Sequence, residues 1–285
     1  MVEVRRARPL LGTLVEITAG AATRERAMSA IDHAFASIER VQRLMSFHDS
    51  QSDVSRINRR ACRVAVRVHP WTWRVLCAAQ QLARASGGAF DVTIGRQLVR
   101  WGYLPKNGPL LPVGFPGDWR DVRLLSGQRV RLTRSLLIDL GGIAKGFAVD
   151  CAVTALRKHG CTSGLVNAGG DLRAFGTLAR IVHLRHPASP RNLVPAFELT
   201  SGAIATSADY FSRKSWRGRS VAPLAARQGS ARTGSASVTV EARTCMLADA
   251  LTKVCLLQGP GAVRRLGGRA LVLRPDDPIM WSIAA

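Results

Sequence analysis

The stretch Ile138-Asp-Leu-Gly-Gly-Ile-Ala-Lys-Gly146 sets a carboxylate, three glycines and a lysine inside an otherwise apolar run. Ser135-Leu-Leu-Ile138 reads as a buried strand, Gly141-Gly142 breaks it, and a helix begins near Lys145. Such a junction suits an anionic ligand. Missing Cβ atoms let a ligand approach the backbone, the first-turn amides have no helical acceptor, and the helix dipole favours negative charge there. On these residues alone it reads equally as a plain helix entry, with Asp139 capping and the glycines turning. Gly164-Leu-Val-Asn-Ala-Gly-Gly-Asp171 repeats the order of strand, glycine pair and carboxylate, which suggests that both stretches serve one site. Further on, Asp249, Thr252 and Lys253 are spaced to share one face of a helix. An exposed Asp249–Lys253 ion pair is the plainer alternative, but Ala248, Ala250, Leu251, Val254 and Cys255 around it imply a largely buried helix. Gly88-Ala-Phe-Asp-Val-Thr-Ile-Gly95 adds Asp91 and Thr93 beside an expected exposed turn.

These groups need elements to hold them. Gly12 to Thr18 reads as an early strand, with Leu14 and Ile17 interrupting strict alternation. From Thr23, a plausible N-cap, a helix is expected to about Met45, because Ala27, Ile31, Ala34, Ile38, Val41 and Met45 recur every three or four residues. Residues 46–55 are polar and hydroxyl-rich and read as a loop. A second helix is expected from Thr72 to Ser86, ended by Gly87-Gly88, and another over residues 145–159. In the last third, Gly202 to Tyr210 and Ala236 to Ala242 read as strands and Cys245 to Leu257 as an apolar helix. Residues 104–117 read as a surface excursion and 211–236 as a mobile loop.

A chain of 285 residues, 47% hydrophobic, can bury a sizeable core as one large domain or two interlocked lobes. No stretch approaches the roughly 20 apolar residues of a membrane span, and the first twelve residues lack a signal-peptide core, so a cytoplasmic location is expected. Six scattered cysteines without any C-x-x-C pair read as small core residues, not as zinc ligands or a disulfide frame. The formal charge of +22 would suit nucleic acid. However, the basic residues are nearly all arginine and are spread evenly, which speaks for a solvated surface and against a dedicated groove, leaving an acidic partner or anionic ligand as the better expectation.

Taken in order, Leu11-Gly-Thr13, Met45-Ser46 through Ser52, Ser55 and Asn58, Gly88 to Asp91 with Trp101-Gly-Tyr103, and Asp139 to Asp150 are similar to the FAD:protein FMN transferase (ApbE) family. Asn167 to Asp171, Thr206-Ser207 with Asp209-Tyr210, and Ala248-Asp249-Ala250 continue the resemblance across nearly the whole chain. The resemblance implies an α+β fold of two interlocked lobes with a flavin site between them, forming a single transferase domain over residues 1–285. It implies cleavage of FAD with magnesium, transfer of FMN to a Ser or Thr hydroxyl of a flavoprotein, and release of AMP. By the same resemblance Leu11, His48, Ala89, Phe90, Asp91, Asp139 and Lys145 would line FAD. Gly142 through its carbonyl, Asp249 and Thr252 would hold the metal, and Asp139 and Asp249 would be catalytic. The partner implied is an FMN-accepting flavoprotein domain, with no nucleic acid. Three departures stand out: His48 where the family has an aromatic residue, Lys253 where it has threonine, and no His-x-x-Asp-Pro segment, of which only Arg232-Thr-Gly234 is recognisable. They keep two alternatives in view: a divergent member that binds or hydrolyses FAD without transfer, and a basic nucleic-acid or anion-binding protein on an old fold.

Overall fold

The computed structural model describes residues 1–106, 117–208, 213–222 and 236–277. The chain forms two compact units, each assembled from separated stretches: unit one from residues 1–40, 145–211 and 234–285, unit two from residues 41–144 and 212–233. In chain order, β1 (Val2–Leu10), β2 (Thr13–Ala21) and α1 (Arg24–Met45) come first, the last turn of α1 belonging to unit two. Unit two continues with α2 (Asp53–Arg60), β3 (Val66–Arg67), α3 (Pro70–Ala85), α4 (Gly95–Arg100), β4 (Val122–Leu125) and β5 (Arg129–Leu132). Unit one resumes with α5 (Ala144–Lys158), β6 (Ser163–Ala168), β7 (Asp171–Phe175), β8 (Arg180–His186), β9 (Ser189–Leu199) and β10 (Gly202–Ala208). After β11 (Lys214–Trp216) and β12 (Arg219–Val221) of unit two, β13 (Ser237–Ala242), α6 (Cys245–Gln258), α7 (Pro260–Arg265) and β14 (Arg269–Leu273) complete unit one.

Unit one is built on a seven-stranded antiparallel sheet in the order β1-β2-β6-β7-β10-β13-β14. Val15, Ile17 and Ala19 of β2, Val166 of β6 and Val240 of β13 are buried, and α6 lies on β10 and β13. The β1–β2 hairpin turns through two residues, both at positive φ: Leu11 at 56° and Gly12 at 72°. That geometry matches the twist of paired strands but is costly for a residue with a Cβ. The helix periodicity read in residues 23–45 is realised in α1, whose Ala27, Ile31, Ala34, Ile38, Val41 and Met45 are all buried. Unit two carries the three-stranded sheet β3-β5-β4 with α2, α3 and α4.

Several expectations are corrected. Residues 135–140 form no strand, although Leu136, Ile138 and Leu140 are buried. Their backbone groups are satisfied in other ways: Asn58 donates to the Ile138 carbonyl at 2.9 Å and accepts from its N–H at 2.8 Å, and the Asp139 N–H donates to the Val92 carbonyl at 2.8 Å. The glycine pair after Ala168 instead turns one strand into the next as a β6–β7 hairpin, so the two stretches do not share one local structure. The loop read over residues 46–55 gives way to α2, capped by the Ser52 hydroxyl, which accepts from the Ser55 N–H at 3.0 Å. Asp91 is buried instead of lying at an exposed turn; its carboxylate accepts from the Thr93 N–H and the Thr93 hydroxyl. Residues 213–222 of the loop expected at 211–236 contain the β11–β12 hairpin, and its residues 211–212 and 223–235 lie outside the described residues. Residues 107–116 of the expected excursion, together with Asp209, Tyr210 and Arg232-Thr-Gly234, lie outside the described residues.

Candidate functional site

The charged residues that the sequence singled out in unit one converge at the junction of α5 and α6. Lys145 stands in the first turn of α5 and forms an ion pair with Asp171 at the start of β7. Asp249 and Lys253, one turn apart on α6, form a second ion pair. Asp249 and Thr252 are fully buried, which rules out the exposed ion pair. The second Asp249 carboxylate oxygen accepts from the Gly146 N–H at 3.1 Å, so the anion at the α5 N-terminus is a side chain of α6. The reverse contact exists too. Asp150 of α5 accepts from the N–H groups of Cys245 and Met246 at 3.0 and 2.9 Å, in the first turn of α6, and pairs with Arg173 at 2.5 Å. The two helices thus cap one another through Asp249 and Asp150. Gly146 makes the approach possible, since a Cβ there would sit 2.2 Å from the Cys245 carbonyl oxygen.

The hydrogen bonds around Asp249 have a definite direction. The Thr252 hydroxyl donates to the Asp249 carbonyl at 2.7 Å, which spends its one proton. In the 2.7 Å contact between Ser207 and Thr252, Ser207 must therefore be the donor, leaving its oxygen to accept from Lys253 at 3.2 Å. Lys253 also donates to the Asp249 carbonyl at 3.1 Å and to its carboxylate, so all three ammonium protons are used. Lys145 differs. Among the described residues its only hydrogen-bond acceptor is Asp171, which leaves two N–H donors open, and its side chain is one-third exposed.

Electrostatics follow from this packing. Burial works against the charge on Lys145, but Asp171 and Asp249 outweigh it and raise its pKa above the ordinary lysine value. Burial and the Asp249 charge push the Asp171 carboxyl up to about 6, against the pull of Lys145. One Asp171 oxygen has no hydrogen-bond partner among the described residues. For Asp249, burial is overcome by Lys253, Lys145 and the Gly146 amide, and its pKa is lowered.

In unit two, Asp139 lies beside Val92 through its backbone and accepts from the Gly141 N–H at 3.1 Å, so it closes the glycine turn and does not cap α5. Burial raises its pKa, opposed by the Gly141 amide and His48. His48 is exposed, Ala89 and Gly142 are half-buried, and Phe90 is buried. Leu11 occupies the strained hairpin turn of unit one. The structure therefore joins Lys145, Asp249 and Thr252 in one cluster, and brings His48, Asp139 and the segment around Asp91 together in the other unit. Sequence reading did not single out Asp150. A lone carboxylate in the apolar helix Phe147-Ala-Val-Asp-Cys-Ala-Val153 is the signal that could have found it, because such a group needs a buried partner.

Residues 11–271 match the ApbE family, and so cover most of both units. The chain belongs to the ApbE family. An ApbE relative in Vibrio cholerae, an FAD:protein FMN transferase, is 29% identical over 239 residues, 78% of this chain and 71% of the relative. The FAD:protein FMN transferase of Treponema pallidum is 28% identical over 188 residues, and the matched part spans about half of it, 52%. Among solved structures, the ApbE protein of Thermotoga maritima is similar with a TM-score of 0.85 and 26% identity, over 99% of this chain and 97% of that one. The apo flavinyl transferase ApbE of Pseudomonas stutzeri shares the fold with a TM-score of 0.78 and 21% identity, over 96% of this chain and 95% of that one. The chain accordingly has an α+β ApbE-like fold.

The metal implied at the Gly142 carbonyl, Asp249 and Thr252 is tested by what the Asp249 and Thr252 side chains already do. Both carboxylate oxygens of Asp249 are engaged, one by an ammonium, and the Thr252 hydroxyl is tied to Asp249 and Ser207. Among the described residues no group of three or more His, Cys, Asp or Glu side chains could hold a metal ion. The donors as arranged do not fit a divalent ion at Asp249.

Proposed function

We propose that this ApbE chain is an FAD:protein FMN transferase, acting on the hydroxyl of a Ser or Thr in an FMN-accepting flavoprotein domain. In the reaction the hydroxyl oxygen bonds to the FMN phosphorus, the bond from that phosphorus to the bridging oxygen breaks, and AMP leaves. The hydroxyl proton passes to a base or to water. Charge on the diphosphate must be neutralised for this to proceed. The observation that carries the reading is Lys145: a cation kept charged by Asp171 and Asp249, with two donors open, at the N-terminus of α5. It supplies fixed hydrogen bonds to phosphate oxygens, while Asp171 holds it in place.

Leu11 in unit one, and His48, Ala89, Phe90, Asp91 and Asp139 in unit two, are proposed as further FAD contacts on the strength of the family membership. The test is incubation with FAD and an FMN-accepting domain carrying its target hydroxyl, followed by in-gel flavin fluorescence and AMP measurement. A fluorescent acceptor band that disappears when the target hydroxyl is removed is the expected result. AMP release without a labelled acceptor points to hydrolysis of FAD instead, and neither product means that the transferase reading fails.

No helix in the described residues is long and apolar enough to cross a membrane. A cytoplasmic site of action, as the sequence suggests, is proposed with the function.

A further inference from the structure

We infer that Lys253 is a tethered cation standing where a divalent ion would otherwise bind Asp249, so that this chain neutralises that carboxylate with its own ammonium. Three oxygens of different kinds surround the Lys253 nitrogen: the Asp249 carboxylate, the Asp249 backbone carbonyl at 3.1 Å and the Ser207 hydroxyl at 3.2 Å. Carboxylate, carbonyl and hydroxyl oxygens together are a donor set that hard cations take from proteins. The ammonium fills this set completely, with one proton for each oxygen.

The chain of donors extends the point. Lys253 donates to Ser207, Ser207 to Thr252 and Thr252 to the Asp249 carbonyl, so the two hydroxyls form one chain of donors with the lysine at its head. A metal at this position would need those hydroxyl oxygens turned toward it and the ammonium removed. Charge leads to the same conclusion. Lys145 and Lys253 balance Asp171 and Asp249, and all four side chains lie in a largely buried cluster. A divalent ion beside Lys253 would add two uncompensated charges there, in surroundings that screen poorly.

The inference deepens the transferase reading, but its decisive measurement involves no turnover. Manganese(II) serves as the probe, and free ion is followed by electron paramagnetic resonance as each intact protein is titrated. Wild-type protein should leave manganese free at concentrations where Lys253→Thr, which removes the ammonium and restores an oxygen, binds one equivalent at least tenfold more tightly. The double variant Asp249→Asn/Lys253→Thr should lose that equivalent again. Two results would overturn the inference: wild type binding one manganese that Asp249→Asn abolishes, or a folded Lys253→Thr that gains none. The wild-type arm stands even if Lys253→Thr fails to fold, because manganese bound at Asp249 of the native chain contradicts the inference by itself. A total lack of AMP formation from FAD would sink the transferase reading and leave the manganese result untouched.

Discussion

Asp249 holds an ammonium and a backbone amide with its two carboxylate oxygens while fully buried. Asp249→Ala therefore strands Lys253 and the Gly146 N–H together. The expected loss is about 3–5 kcal/mol of stability, the cost of breaking a buried pair from one side, read as a lower urea midpoint with unchanged slope, and FMN transfer should fall below detection. Asp171 supports a pH prediction. Its carboxyl titrates near 6 in the folded chain, above the ordinary carboxylate value, so between pH 4 and 6 the folded state keeps a proton that the unfolded state releases. Stability from this group is present below that window and is lost as pH rises through 6. Asp171→Asn should flatten that limb of a urea-midpoint against pH profile, and a limb of unchanged steepness would refute the assignment. Leu11 is a different case, since a φ of 56° is costly for a residue with a Cβ. Leu11→Asn should raise the melting temperature by about 2 °C, as expected for relief of about 1 kcal/mol in a chain of this size. Reduced FAD affinity in the same variant would show what the leucine is kept for.

The helices α5 and α6 stand or fall as a pair. Asp150→Ala removes the acceptor for two amides of α6 and the partner of Arg173. A loss of about 2 kcal/mol is expected for such a cap, with faster amide hydrogen exchange at Cys245 and Met246 as its local signature. Gly146→Ala should cost roughly 3 kcal/mol by overpacking, because the atom met at 2.2 Å is backbone and cannot rotate away. Much of this level was legible beforehand. The apolar period of residues 27–45 and the run of small apolar residues around Asp249 announced α1 and a buried α6, since burial of one face is written into residue spacing. The strand read at 135–138 failed for a physical reason. Apolar residues report burial, but only a partner strand makes a ladder, and here Asn58, eighty positions away, takes both backbone groups of Ile138. Likewise α2 is short, polar and Arg-rich, and only its Ser52 cap and the buried Val54 and Ile57 betray it. The shared helix face of Asp249, Thr252 and Lys253 was legible in their spacing. Its internal wiring was not, because spacing placed Lys253 near Asp249 without showing that it would use every proton there.

At the scale of the whole chain, the family match extends over residues of both units, while a charge of +22 gives the surface a long-range preference. Screening lengths shrink from about 10 Å at 0.1 M salt to about 3 Å at 1 M. If the acceptor is acidic, kcat/KM for FMN transfer to it should drop at least tenfold between 50 and 500 mM salt, with kcat at saturating acceptor nearly unchanged. An acceptor of neutral surface should show no such slope. The reciprocal capping of α5 and α6 also bears on how the chain is made. Gly146 waits for a carboxylate 103 positions later, and Asp150 for amides 95 positions later. While the ribosome is still translating, the entry of α5 has no anion and Asp150 has no amides to receive, so unit one cannot close until α6 has left the exit tunnel. Nascent chains stalled with residue 240 just exposed should be cut by protease within α5, and those stalled well beyond residue 260 should resist, which makes the last third of the polypeptide the timekeeper for the middle third.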